Sequence, residues 1–421
     1  QCLSAHAANN ALICTEQLHA QDWIKRPLPE NDIRSMLKAA YQQFEQHASE
    51  AEKSAFGLFC QQHQNWLQDY VLFCEIRESQ ENKAWFDWPI TLRDREQIAL
   101  YDFELEHLSA LSIRKFEQFI FSNQWQDLKQ YANDKDVLLF GDMPIFVAHD
   151  SADVWANRHL FTLDELGQAT RVAGVPPDCF SETGQRWGNP LYEWSKHQTE
   201  DYQWWQDRLN TQLALFDLIR IDHFRGFEAC WEIPASCETA IDGQWVAAPG
   251  EALFDKMQTV FGDLPLIAED LGIITPEVTA LKEKYAMPGM KILQFAFGGG
   301  ADNPYLPHHH ETDSIAYTGT HDNNTTLGWY HTLDEQTKAH MTDYFGHQDE
   351  DVVWQLNRTA LQSIAQLAIL PMQDILALDG EHRMNVPGTT EDNWLWSFQW
   401  DWLQQGCHER LRHLNELYGR S

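Results

Sequence analysis

A chain of 421 residues is long enough for one large α/β domain or for two or three small ones, and 43% apolar and 12% aromatic residues suffice for a sizeable core. With 30 basic residues against 63 acidic ones the formal charge is −33, which argues against nucleic acid or an anionic membrane as partner, since both need a basic surface, and suits a soluble protein with a neutral ligand. The 18 tryptophans supply flat apolar rings with a donor edge that suit sugar faces, although most are expected to pack in the core or at its rim.

The chain opens on QCLSAHAANNALIC, with no initiator methionine, basic n-region or apolar h-region, so it reads as the middle of a protein and an N-terminal truncation is expected. Residues 30–133 have helical texture. NDIRSMLKAAYQQFEQHA starts with an Asn/Asp cap and continues with apolar residues at three- and four-residue steps, and IRKFEQFIFSNQWQDLKQYAND repeats the pattern up to the polar stop Asn133-Asp134. Residues 1–133 are therefore expected to form an N-terminal remnant plus a helical insertion subdomain.

From residue 134 the texture changes. Apolar runs of strand length are predicted at 137–141, 218–224, 265–271, 290–295, 315–320 and 374–378, separated by helix-like or loop segments. Strands alternating with helices imply a parallel sheet, and their near-continuous apolar character says that both faces are buried. Nearly every run ends in polar residues: GDMP, RIDHFRG, AEDLG, THDNN and GEHRMN. In a (β/α)8 TIM barrel the C-terminal strand ends form the active-site face, so the expectation for 134–421 is a catalytic barrel of the α/β class. Loop insertions are expected at about 145–215 and 227–262. Only six strands are visible, which fits a chain lacking its first strands.

The stretch LIRIDHFRG poses the chemical question, because charges inside a buried strand cost several kcal/mol, roughly, unless partnered. Period-two alternation puts Leu218, Arg220 and Asp222 on one side, so Arg220 can hold Asp222 ionised and aim it, or the two can be a buried pair that fixes register. Asp222, Glu269 and Asp322 stand at or just past strand ends. One ionised and one protonated carboxyl group are the minimal apparatus for glycosyl transfer, and a third acid can raise the acid's pKa and bind hydroxyls. Spacing does not decide between Glu269 and Asp270; the outward one is expected to cap the following segment.

The eight cysteines form no CxxC pair and no Cys/His metal spacing, which fits free thiols in a cytoplasmic setting. His308–His310 are expected in a surface loop rather than a metal patch. The YQWWQD stretch at 202–207 is expected to pack as helix. No apolar run reaches the length of about 18 residues that a membrane span needs.

The longer segments GDMPIFVAHDSADVWANRHLF, AGVPPDCFSETGQRWGNPLYEW, LIRIDHFRGFEACWEIPA, IAEDLGIITPEV, PGMKILQFAF, AYTGTHDNNTTLGWY and EHRMNVPG resemble the amylomaltase (disproportionating enzyme) family of 4-alpha-glucanotransferases, a branch of the α-amylase-like barrels. The resemblance covers most of the chain after residue 115. It implies Asp222 as nucleophile, Glu269 as general acid/base and Asp322 as the third carboxylate, which holds sugar hydroxyls and helps distort the ring. It further implies that Arg220 orients Asp222, that Asp142, His223 and His321 grip the glucose whose bond is cut, that Gln185 and Trp187 lie on a loop closing over substrate, and that Phe295 and Asn385 line the cleft. Ala8, Asn10, Phe146 and Arg158 depart from the family pattern. The resemblance implies maltooligosaccharides and other α-1,4-glucans as substrates, in maltodextrin, glycogen or starch metabolism. No nucleotide- or pyridoxal-binding loop is visible, and no cofactor is expected. A hydrolase of the same clan, or a catalytically silent glucan-binding protein, would share many of these features.

Overall fold

The computed structural model describes residues 30–420 apart from 179–180, 347–349, 390 and 404–405. The opening motif with Ala8 and Asn10, and Cys2, Cys14 and Cys179, lie outside the described residues. The chain divides into two compact units, Gln1–Leu266 with Ile274–Leu281, and Ile267–Ile273 with Lys282–Ser421.

In the first unit the main chain up to Asn133 is carried by the helices Glu30–His47, Glu50–Gln62, Gln64–Ser79, Gln97–Glu106 and Leu108–Asn133, with short turns of helix between them. The first begins at Glu30, so Asn31 and Asp32 fall inside its opening turn and not ahead of it as a cap. The second is started by a capping box in which Ser49 Oγ accepts from Glu52 N and Ser49 N donates to Glu52 Oε2. Phenylalanines three residues apart on two helices, Phe56 and Phe59, Phe116 and Phe119, meet with Phe44 at ring-centroid distances of 4.9 to 6.4 Å. The long helix ends where the sequence predicts, at Asn133, whose amide donates to Asp217 Oδ2 at 3.0 Å. That same carboxylate accepts Leu139 N at 2.8 Å, tying the helix end to the starts of two strands.

The strands of the first unit are β1 (Phe140–Pro144), β2 (Arg171–Val175), β3 (Gln185–Pro190), β4 (Leu218–Asp222), β5 (Ala229–Pro234) and β6 (Gln244–Ala247). β1 and β4 pair in parallel, with Asp142 opposite Arg220 and Pro144 opposite Asp222. β1 begins three residues later than predicted, because Val137 and Leu138 are 53% and 59% exposed in the turn after the helix. The segments read as insertions build a feature the sequence did not announce, a four-stranded antiparallel sheet in the order β3-β2-β5-β6. Trp231 and Trp245 face each other across β5 and β6, rings 5.3 Å apart.

The chain passes from the first unit to the second along β7 (Leu266–Ala268). The second unit holds β8 (Gly289–Ile292), β9 (Ser314–Tyr317) and β10 (Leu367–Ile369), a parallel sheet in the order β10-β9-β8. Helices follow or separate these strands, and Leu293, Phe297, Ala316, Met341, Leu356 and Ala360 form a core between them. The predicted strand at 374–378 is absent: Met372–Ile375 is helical and Ala377 adopts a left-handed backbone, φ 51°. The strand lies earlier, at β10, and Pro371 stands at the N-cap of the short helix, where its fixed φ suits a helix start. His308–His310 are not a plain surface loop either. His310 is buried, with Nδ1 2.6 Å from Ser363 Oγ and Nε2 3.0 Å from Tyr305 O.

Candidate active site

In the first unit the C-terminal ends of β1 and β4 bring three predicted residues together. Arg220, its side chain 9% exposed, donates through Nη1 to Asp142 Oδ2 and through Nη2 to Asp222 Oδ1, the latter at 2.7 Å. The alternation read from LIRID is therefore real, and the parallel register adds Asp142 from the neighbouring strand. A planar guanidinium reaches two carboxylates at once through separate nitrogens in a fixed fork. Both carboxylates are 40% exposed, so the pair of anions opens outward from a buried cation.

His223, next along the chain, takes a left-handed backbone, φ 52°, which turns its ring out of the strand direction. The ring meets Trp187 edge to face at 4.8 Å and approaches Phe146 at 6.4 Å. Burial, followed by the nearby Arg225 charge, pushes the His223 pKa down to about 4, so the imidazole is neutral at physiological pH. Trp187 is 38% exposed, and its indole N–H donates to Gln185 Oε1 at 3.2 Å. Gln185 and Trp187 stand on β3, not on a loop as the resemblance implied; the loop precedes them. β3 is anchored at its far end where Asn189 Nδ2 donates to Val147 O at 2.9 Å, and Tyr192 beyond it donates to Ile145 O. Trp205, from the YQWWQD stretch, is buried in the helix Gln203–Leu215 as the packing reading expected, 5.1 Å from the Tyr192 ring.

The second unit carries the other predicted residues. After β7, the adjacent acids part company. Asp270 accepts Lys282 Nζ at 2.7 Å and Met290 N at 2.7 Å, both partners in its own unit, so it is an internal brace at the start of β8. Its approach requires a glycine, since a Cβ on Gly289 would lie 2.3 Å from Asp270 Oδ2. Glu269 accepts Leu271 N at 3.1 Å and is half-buried. Of the two acids that spacing left open, Asp270 is the one engaged in bracing β8. Tyr305 was not singled out by sequence. Burial, then the charges of Asp270 and Glu269, push its pKa up to about 12, so it stays a phenol. Its ring meets Phe295, itself 37% exposed, edge to face at 5.5 Å.

Beyond β9, Asp322 is held from several sides. Asn385 Nδ2 donates to its Oδ1 at 2.6 Å, Arg383 Nη2 donates to its backbone oxygen at 2.5 Å, and His321 Nε2 lies 3.4 Å from its Oδ2. Trp394, 60% exposed, faces the His321 ring at 5.0 Å. Arg383 was legible in principle, two residues before Asn385 within EHRMNVPG; Trp394 carried no local signal.

Acids at parallel strands, an arginine between two of them and exposed aromatic faces in the same units are groups that a carbohydrate-active enzyme uses. The solved structure of the amylomaltase from Streptococcus agalactiae in complex with acarbose superposes with a TM-score of 0.89 at 36% identity, covering 93% of this chain and 79% of that one. The amylomaltase from Corynebacterium glutamicum, 18% identical with a TM-score of 0.69 over 91% of this chain and 58% of that one, shares the fold. The 4-alpha-glucanotransferase of Thermus thermophilus is 49% identical over 392 residues, 91% of this chain and 78% of the relative, and that of Synechocystis 44% over 389 residues, 91% and 77%. The sequence profile of the family described as 4-alpha-glucanotransferase matches residues 1–403, and the chain belongs to that family.

Proposed function

We propose that this enzyme transfers α-1,4-glucan segments between maltooligosaccharides by a retaining double displacement in which Asp222 is the nucleophile and Glu269 the general acid/base. Glu269 gives its proton to the leaving 4-oxygen while Asp222 attacks the anomeric carbon, so the glycosidic bond breaks and a covalent β-glucosyl ester forms. Glu269, now ionised, removes the proton from the 4-hydroxyl of an incoming glucan, whose oxygen displaces Asp222 and restores the α-linkage. Asp322 holds sugar hydroxyls and helps distort the ring. Asp142, Arg220, His223, His321, Gln185, Trp187, Phe295 and Asn385 bind and orient. This chemistry requires the two carboxyl groups to stand about 5–5.5 Å apart.

The observation that carries the reading is the bidentate Arg220 at the ends of β1 and β4. It gives Asp222 a charge-assisted hydrogen bond that fixes the direction of its carboxylate, which is what a nucleophilic carboxylate needs. Transfer prevails over hydrolysis when water is kept from the ester and an aromatic surface holds the acceptor, and Trp187 is the residue that supports this. Residues 30–133 serve as a helical insertion beside the barrel that begins near 134. The cysteines Cys60, Cys74, Cys230, Cys237 and Cys407 are free thiols, which supports a reducing, cytoplasmic setting. No helix of the described residues is long and apolar enough to cross a membrane.

The test is incubation of the protein with maltotriose and separation of products by size. A ladder of longer maltooligosaccharides plus glucose is expected. Glucose and maltose alone would replace the reading by hydrolysis, and unchanged maltotriose by binding without turnover.

A further inference from the structure

Among the buried carboxylates Asp374 has no part in the reaction as described. It is 1% exposed and, among the described residues, makes no ion pair; its oxygens accept only from neutral donors, Thr318 Oγ1 at 2.6 Å, Thr326 Oγ1 at 2.7 Å and Thr326 N at 2.8 Å. A buried anion held by hydroxyls and an amide is a poor way to stabilise a core, where apolar packing of the same volume does as well or better. What the arrangement does provide is geometry. Thr318 directly follows β9, and Thr326 is the first residue of the helix Thr326–Thr332, so one carboxylate grips both ends of the loop that carries His321 and Asp322.

The loop is braced to match. Thr320 N and Oγ1 donate to Asn323 Oδ1 at 2.8 and 2.9 Å, and Gln294 Nε2 donates to Asn324 O at 2.9 Å. The Gln294 amide passes so close that a Cβ on Gly319 would lie 2.6 Å from its nitrogen. From the other side, the segment that starts at Asp374 returns to the same acid. Gln373 Nε2 donates to His382 O at 3.1 Å, and the next residues, Arg383 and Asn385, donate to Asp322. Two arms, one through the threonines and one through residues 373–385, therefore join Asp374 to Asp322.

We propose that Asp374 is a positioning residue for the transfer reaction, setting the place of Asp322 by clamping Thr318 and Thr326; the proposal rests on the reading of Asp322 as the third carboxylate. The test compares Asp374→Ala, Asp374→Asn, the paired Thr318→Val/Thr326→Val variant and Asp322→Asn, each assayed for kcat and KM with maltotriose and for thermal unfolding. The core variant Met341→Ala serves as a stability control. Asn can keep Thr326 N on its oxygen and donate to both hydroxyls, so it should rescue: Asp374→Ala should lose at least about 10-fold in kcat with little change in KM, and Asp374→Asn should return to within about 3-fold of the parent. The paired valine variant, which empties no volume, should fall with the alanine variant and carries the test if that one fails to fold. Parent-like turnover in the valine pair, or a loss in Asp374→Ala matched by Met341→Ala at equal loss of melting temperature, would overturn the positioning role. If Asp322→Asn itself keeps its turnover, the reading of Asp322 fails instead, whatever the other variants do.

Discussion

At the scale of single residues, the site is organised by one shared cation. Asp222→Asn is expected to reduce disproportionation of maltotriose below detection while oligosaccharide binding, followed by tryptophan fluorescence, survives; near-parent rates would remove Asp222 from the nucleophile's role. Trp187→Ala should leave cleavage possible but raise the share of glucose released to water, read as the ratio of reducing ends to transfer products. A ratio that stays put would mean the indole does not shield the ester. The two buried imidazoles make a prediction about pH. Burial lowers His223 and His197 from an ordinary 6.5 to about 4, so each is neutral when folded and can protonate when unfolded. Their contribution to stability is complete above pH 6.5 and is lost as pH falls towards 4, because the unfolded chain then binds more protons. The melting temperature should drop across that window, and His197→Gln should lessen the drop. An identical profile in the variant would contradict the assignment. The Arg220–Asp222 pair was legible because a strand repeats every two residues. Asp142 as the second partner was not, since the register between two distant strands leaves no trace in local spacing.

At the scale of elements, small devices locate the site-bearing strands. Gly289→Ala would drive a methyl group against Asp270 and loosen its bonds to Lys282 and Met290 N. It should cost about 1–3 kcal/mol by urea unfolding, the penalty of disturbing a buried hydrogen-bonded charge. Ser49→Ala removes the hydroxyl half of a capping box, leaving the backbone N–H of residue 49 on Glu52, and should cost about 1 kcal/mol without touching turnover. Five of the six predicted strands lie at or within a few residues of real ones, because strands buried on both faces write themselves as apolar runs. The sixth failed for an instructive reason. DILAL looks like a strand, but its aspartate is the buried hub of a hydrogen-bond network, and the apolar residues after it cover a turn. The antiparallel sheet stayed hidden because β3 and β6 are largely exposed, so neither alternation nor a continuous apolar run marks them.

At the scale of the whole molecule, charge is the dominant fact. With −33 spread over one chain, self-repulsion opposes compaction, and salt should relieve it. Raising NaCl from about 10 to about 150 mM shortens the screening length from about 30 to about 8 Å, and the melting temperature should rise. A flat or falling response would mean that local ion pairs such as Arg358 with Glu350 outweigh the overall repulsion. The acidic composition is compatible with a neutral ligand, and the family is that of the 4-alpha-glucanotransferases. A division inside β7 was not foretold, because it falls within an apolar run that carries no linker signal.

The forked grip of Arg220 has a corollary for the second half of the proposed reaction. A carboxylate that attacks must afterwards depart, and a cation bonded to its oxygen steadies the charge that returns to it when the ester opens. Shortening that reach, as in Arg220→Lys, should therefore slow release more than capture, so that a sugar-bearing adduct builds up on Asp222 and becomes visible by intact-mass spectrometry.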